Sequence, residues 1–208
     1  SGIRTPRKGQ GILDLKLRSS ERDRFEQWRL ALPPDGGRPW LGIGPGSKMS
    51  AKVWPSERFL ELVQRLIDNF DCWPVVFGGP EDTGLGQRLT RAWGRGYVAA
   101  GALDVRTAAL GLGKCQLYVG NDTGTMHLAA ATGTRCVAIF SSRAPSGRWD
   151  PYGPGHKVLR TDIDCAGCQL IDCIDRAKAC LIQITVDDVY RVCHHLIADT
   201  MPVAERRL

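Results

Sequence analysis

Three short apolar runs each end in a glycine-rich polar turn: WLGIGPGS from Trp40, WPVVFGGPED from Trp73 and QLYVGNDTG from Gln116. Runs that are apolar on successive residues read as strands covered on both faces, which is the habit of parallel sheets. Between them the period changes from two to about 3.6. In SERFLELVQRLIDNF, Phe59, Leu60, Val63, Leu66, Ile67 and Phe70 follow helical spacing, with Ser56 as the expected cap. Residues 83–93 read as a helix, GYVAAG as a short strand, and DVRTAALGLGKC as a helix capped by Asp104. TMHLAAATG reads as a helix, RCVAIFSS and HKVLRT as strands, and TVDDVYRVCHHLIAD as a last helix capped by Thr185. Strand and helix in strict alternation predict an α/β fold: a doubly wound parallel sheet, Rossmann-like, with right-handed connections. Such sheets bind ligands beyond the carboxyl ends of their strands, where all three glycine turns fall.

Residues 1–38 differ in kind. They are polar and basic, with Arg4, Arg7, Lys8, Lys16 and Arg18 early on, one short helix expected over Ser20–Leu30 with Phe25 and Trp28 on one face, and LPPDGGRP as a linker. Residues 39–200 form the expected main domain and 201–208 a tail. The formal net charge of +6 favours acidic partners such as nucleotides, phosphosugars, nucleic acid or an anionic membrane surface. No apolar run approaches the roughly 18 residues of a transmembrane helix, and SGIRTPRKGQG has no apolar segment of a signal peptide. The expected compartment is therefore cytoplasmic.

The first glycine turn fits neither of two common phosphate loops. In a P-loop, Lys-Ser/Thr directly follows the second glycine, but Gly46 is followed by Ser47 and then Lys48. In a dinucleotide fingerprint the turn opens a helix at once, whereas here the helix follows Pro55. What remains is a glycine loop followed by Lys48 and Lys52: backbone N–H groups that an anion can approach, plus mobile positive charge. In the third turn, Thr123 and Gly124 stand at a helix N-terminus, whose N–H groups and dipole attract phosphate. Asp122 would repel a bare phosphate, and suits loop ordering or a sugar hydroxyl. His127 lies one helical turn on, although a histidine beside alanines is more often a packed core residue.

The series GPGSKMSAKVWP, GGPED, GNDTGTMHLAAATGT and RWDPYGP resembles glycosyltransferase family nine, which includes the heptosyltransferases of lipopolysaccharide core assembly. The resemblance covers roughly residues 40–195. It implies the GT-B architecture of two Rossmann-like domains, with this chain as the C-terminal half that binds a nucleotide-sugar donor, typically ADP-heptose. By position it implies that Gly46, Ser47 and Lys48 line the donor phosphates or sugar and that Lys52 neutralises the departing diphosphate. Asp82 would lie near the nucleoside and Leu103 in the base pocket, with Asp122, Thr123, Gly124 and His127 around diphosphate and sugar. Lys52 and Asp122 are then the residues expected nearest the chemistry. Transfer would be inverting, without a cofactor, onto an acceptor glycan or lipid A-core, with peripheral contact at the inner face of the inner membrane. The family's base is an Asp early in the N-terminal, acceptor-binding domain. Residues 1–38 are too few for such a domain, so the chain is expected to bind donor without transferring sugar.

Four cysteines, Cys165, Cys168, Cys173 and Cys180, follow C-x2-C-x4-C-x6-C, a spacing open to a structural zinc or iron–sulfur site and equally to free thiols or disulfides. Cys72, Cys115, Cys136 and Cys193 read as buried thiols. Trp54 and Pro55 read as packing residues. RWDPYGPG is expected to cover the crevice, with Trp149 and Tyr152 as an apolar plug beneath it or, less commonly, as stacking surfaces. Two alternatives stand beside the enzyme: a non-catalytic nucleotide-sugar binding protein, and a basic nucleic-acid module with a cysteine-rich metal site. Against the last, the basic residues show no aromatic interleaving.

Overall fold

The computed structural model describes residues 11 and 13–199; Arg4, Arg7, Lys8 and the tail 201–208 lie outside the described residues. Six strands form one parallel sheet: β1 (Trp40–Gly44), β2 (Trp73–Val76), β3 (Tyr97–Val98), β4 (Cys115–Asn121), β5 (Cys136–Ile139) and β6 (Lys157–Leu159). Their order is β3-β2-β1-β4-β5-β6, and every neighbouring pair is parallel. This is the Rossmann order, with the chain reversing its direction of travel between β1 and β4. The helices are α1 (Ser19–Leu30), α2 (Ser56–Phe70), α3 (Thr83–Trp93), α4 (Val105–Gly113), α5 (Gly124–Ala131), α6 (Ala179–Ile182) and α7 (Val186–Ala198).

Alternation along the strands feeds two cores. Leu41, Ile43, Leu117 and Val119 face α2, α3 and α7, while Trp40 and Tyr118 face α1, α4 and α5. Helix α2 buries Phe59, Leu62, Val63, Leu66 and Ile67; a fully buried aliphatic or Phe side chain contributes about 1.5–3 kcal/mol. Here the sequence reading needs two corrections. Leu60 is exposed and Leu62 takes its place inside, because the buried stripe is centred one residue away from the position the spacing suggested. Ser56 does not cap α2: it is the first helical residue, the cap position is Pro55, and the Ser56 hydroxyl donates to Glu57 instead. The caps at Asp104 and Thr185 form as expected, each side chain accepting from backbone N–H groups in the first turn.

Helix α1 begins one residue before the expected start and packs on α4, burying Phe25 beside Trp28 and Trp40. Glu21, also buried, receives the guanidinium of Arg106 from α4. Many basic side chains meet carboxylates in this way: Arg38 and Arg95 share Asp71, Arg65 meets Asp187 and Arg176 meets Asp164. Cys72, Cys115, Cys136 and Cys193 are buried, and burial pushes the thiols of Cys72 and Cys136 up to about 12. No helix among the described residues is long and apolar enough to cross a membrane.

Candidate functional site

The carboxyl ends of β1 and β4 meet at very close range. A Cβ at Gly120 would lie 2.9 Å from the Gly44 Cα, and one at Gly44 would overlap the buried hydroxyl of Tyr118. Glycine at both positions lets the two strand ends run side by side, so the loops that follow emerge together. Asn121, fully buried, ties them. Its Nδ2 donates to the Pro45 carbonyl at 2.7 Å, and its Oδ1 accepts from the Trp54 N–H at 3.1 Å. Trp54 is itself buried and donates its indole N–H to the Ile184 carbonyl at 2.9 Å, so the packing role expected of it holds.

Between those anchors the chain makes one short 3-10 turn, Ser50–Lys52. It aims Lys52 back at the sheet edge, where Nζ sits 2.8 Å from Asp122 Oδ2. The two side chains are only 14% and 5% exposed, which makes this a largely desolvated pair rather than a surface one. The turn is braced from outside by the cysteine-rich segment: Ala51 N–H donates to the Ile171 carbonyl and Ser50 Oγ donates to Asp172.

Asp122 leads directly into α5. Thr123 is its N-cap residue but spends its hydroxyl on Thr125, which in turn meets Tyr118 Oη at 2.7 Å. The first N–H groups of α5 have no partner inside the helix and point, with its dipole, toward the same crevice. His127 stands one turn further on. Burial lowers its pKa, with Asp122 opposing and Lys52 reinforcing the shift. Lys52, Asp122 and His127 line the same cavity, which places all three on one side of the molecule.

The third loop follows β2. Asp82 accepts from the Gly79 N–H at 3.0 Å and lies so close to Gly46 and Gly78 that a Cβ on either would overlap its carboxylate. Two glycine turns therefore close around one acid. Burial raises the Asp82 pKa, with Glu81 adding to the rise and the Gly79 hydrogen bond opposing it.

These loops enclose a cavity of about 1130 Å³. Gly46, Ser47, Lys48, Lys52, Asp82, Leu103, Asp122, Thr123, Gly124 and His127 all line it. The ten residues singled out in the sequence thus line one cavity. Sequence reasoning named only Leu103 at its apolar end, missing Phe77, Ala108 and Leu128, and missed Asn121, the tie beneath it. The signal for Asn121 was present: a polar residue that ends an otherwise apolar strand has to find buried partners. Chemically, one end offers two lysines and helix N–H groups to an anion. The carboxylates of Asp82 and Asp122 repel anions and suit hydroxyl donors. The apolar end suits a flat, weakly polar ring.

The model of glycosyltransferase family 9 (heptosyltransferase) matches residues 5–178. The chain belongs to this family. Lipopolysaccharide heptosyltransferase 2 of Salmonella typhimurium is 29% identical over 170 residues, which covers 78% of this chain and 48% of that protein. The protein of the same name from Escherichia coli K12 is 33% identical over 116 residues, 52% of this chain and 32% of the other. Among solved structures, the E. coli ADP-heptose lipopolysaccharide heptosyltransferase II superposes with a TM-score of 0.68 at 25% identity, over 88% of this chain and 52% of that one. The chain spans about half the length, or less, of the curated relatives it matches.

Two expectations fall outside the cavity. Cys165, Cys168, Cys173 and Cys180 lie between β6 and the end of α6, near enough that the other three thiols add to the burial that raises the Cys180 pKa. Yet among the described residues no group of three or more His, Cys, Asp or Glu side chains is placed to hold a metal ion, so as arranged they do not form a ligand set. Trp149 and Tyr152 are not a plug: they are 47% and 36% exposed, because Asp150 and its ion pair with Arg160 hold the loop at the rim rather than over a core.

Proposed function

We propose that this chain is the donor-binding half of an inverting glycosyltransferase, residues 39–200 forming the nucleotide-sugar domain and α1 packing onto it from the preceding segment. The observation that carries the reading is the convergence of Lys52, Asp122 and the α5 N-terminus on one cavity at the carboxyl edge of a Rossmann sheet. The donor's diphosphate lies against Lys48, Lys52 and the first N–H groups of α5. The base occupies the apolar end with Leu103 and Phe77, and Asp82 faces ribose hydroxyls. The family and the names of its relatives favour ADP-heptose as the donor and a lipopolysaccharide-type acceptor, reached by peripheral contact with the inner face of the inner membrane.

In transfer, an acceptor oxygen attacks the anomeric carbon as the bond to the diphosphate breaks. Negative charge then grows on the leaving oxygens. Lys52 and the α5 dipole are already fixed where that charge appears, which is how preorganised groups lower a barrier. The base that takes the acceptor proton belongs to the acceptor-side half. No step uses a cofactor, and the clustered cysteines take no part.

Calorimetry of the chain with ADP, UDP and GDP, then with their sugar conjugates, tests the reading. ADP and ADP-heptose should bind, and acceptor-dependent turnover should be absent until the other half is supplied. Failure of all three nucleotides to bind would dispose of it. A non-catalytic nucleotide-sugar binder would bind equally well but would stay inactive when the acceptor-side half of a relative is added.

A further inference from the structure

The geometry points to Trp149, just outside the cavity beside His127, as a platform for the ring attached to the diphosphate; the inference rests on the donor-site reading above. Trp149 meets His127 edge-on, with ring centroids 6.5 Å apart and planes at 68°. His127 lines the cavity and Trp149 does not, so the indole stands next to the cavity on the His127 side. It is nearly half exposed, with the Arg148 guanidinium 5.7 Å from its ring centroid.

The loop that carries it is fixed. Asp150, the next residue, pairs with Arg160 at 3.4 Å, and the Arg160 guanidinium rides on the ring of Phe140 at 4.9 Å, just past the end of β5. Further on, His156 contacts the Tyr152 carbonyl at 3.1 Å and accepts from the Cys136 N–H at 3.1 Å, anchoring the far side of the loop to β5. A large apolar face held rigid beside a polar cavity is the arrangement that binds one flat apolar surface with little ordering cost. A hexose or heptose ring has such a surface in its C–H face, whose slightly positive hydrogens meet the negative face of the indole. A phosphate gains nothing from it. The nucleobase, at the apolar end with Leu103 and Phe77, has its own slot.

The test is calorimetry of the wild-type chain, Trp149→Ala and Trp149→Phe with ADP and with ADP-heptose. Trp149→Ala should weaken ADP-heptose about 5- to 10-fold, the scale of one aromatic contact, and change ADP by less than about 2-fold. Trp149→Phe should recover most of the loss. Equal weakening of both ligands, or of neither, overturns the platform while leaving the diphosphate site standing. If the wild-type chain binds neither ligand, the donor-site reading itself falls and takes the platform with it. Circular dichroism of each variant confirms a native fold, which a half-exposed rim residue should not disturb.

Discussion

Replacing Lys52 by Met should separate its two roles. At 2.8 Å the Lys52–Asp122 attraction is about 6 kcal/mol at an effective dielectric of about 20, before the cost of desolvating both groups. Removing one partner leaves the other charged and short of water, and losses of about 3–5 kcal/mol follow in buried pairs. Asp122 is 5% exposed but borders an open cavity, so the lower end, about 3 kcal/mol, applies. Urea denaturation of Lys52→Met should show that loss, and the double variant Lys52→Met/Asp122→Asn should recover at least half of it, because no unpaired charge is left. Binding should not follow stability. Both variants lack the cation at the diphosphate and should bind ADP about 1–3 kcal/mol more weakly, roughly 5- to 150-fold. A double variant that regains wild-type ADP affinity, or a single variant that never lost it, would show that Lys52 only balances Asp122.

Other consequences are directly measurable. Asn121→Ala strands the Pro45 carbonyl and the Trp54 N–H in the interior and should cost about 2–4 kcal/mol in urea denaturation, at about 1–3 kcal/mol for each buried group left unpaired. Gly120→Ala forces a methyl onto the Gly44 backbone and should cost about 1–3 kcal/mol or more, whereas Gly133→Ala, also destabilising because its φ is +83°, meets no atom within 4 Å and should leave ADP binding intact. His127 and His156 both have pKa values lowered by burial. The unfolded chain therefore binds their protons first: stability from these groups is complete above the unfolded value near 6.5 and is lost as pH falls from there through the folded values. Urea midpoints should drop between pH 7.5 and 5, and His127→Gln should flatten part of that fall. Protonated His127 is the better partner for a diphosphate, so ADP-heptose, whose phosphates are both esterified and do not titrate in this range, should bind more tightly at pH 6 than at pH 8, and His127→Gln should abolish the difference.

The sheet was legible because three of its strands announce themselves twice, by an apolar run and by the glycine turn that follows it. Trp40–Gly44 and Cys115–Asn121 are both of this kind. Sheet order was less accessible, since β4 lies beside β1 although β2 and β3 come between them in the chain, and only the shared glycines at 44 and 120 hint at the approach. The site residues were legible as types at strand ends. Their pairing was not: nothing local to Lys52 says that it meets Asp122, because that contact depends on Asn121 and Trp54 fixing the turn from both sides. Periodicity misplaced Leu60 because the spacing allows a stripe shifted by one residue, and only the packing of α7 and α3 against α2 selects between them. Trp149 resisted prediction for a different reason. An aromatic in a loop is as well suited to plugging as to recognition, and the choice lies in the Asp150–Arg160 pair, ten residues apart.

The most direct measurement is a crystal structure of the chain with ADP bound. The account places the β-phosphate within hydrogen-bond reach of Lys52 Nζ and the backbone N–H groups of Gly124 and Thr125, with adenine against Leu103 and Phe77. ADP bound with its phosphates away from Lys52 and α5, or bound elsewhere on the molecule, would contradict it.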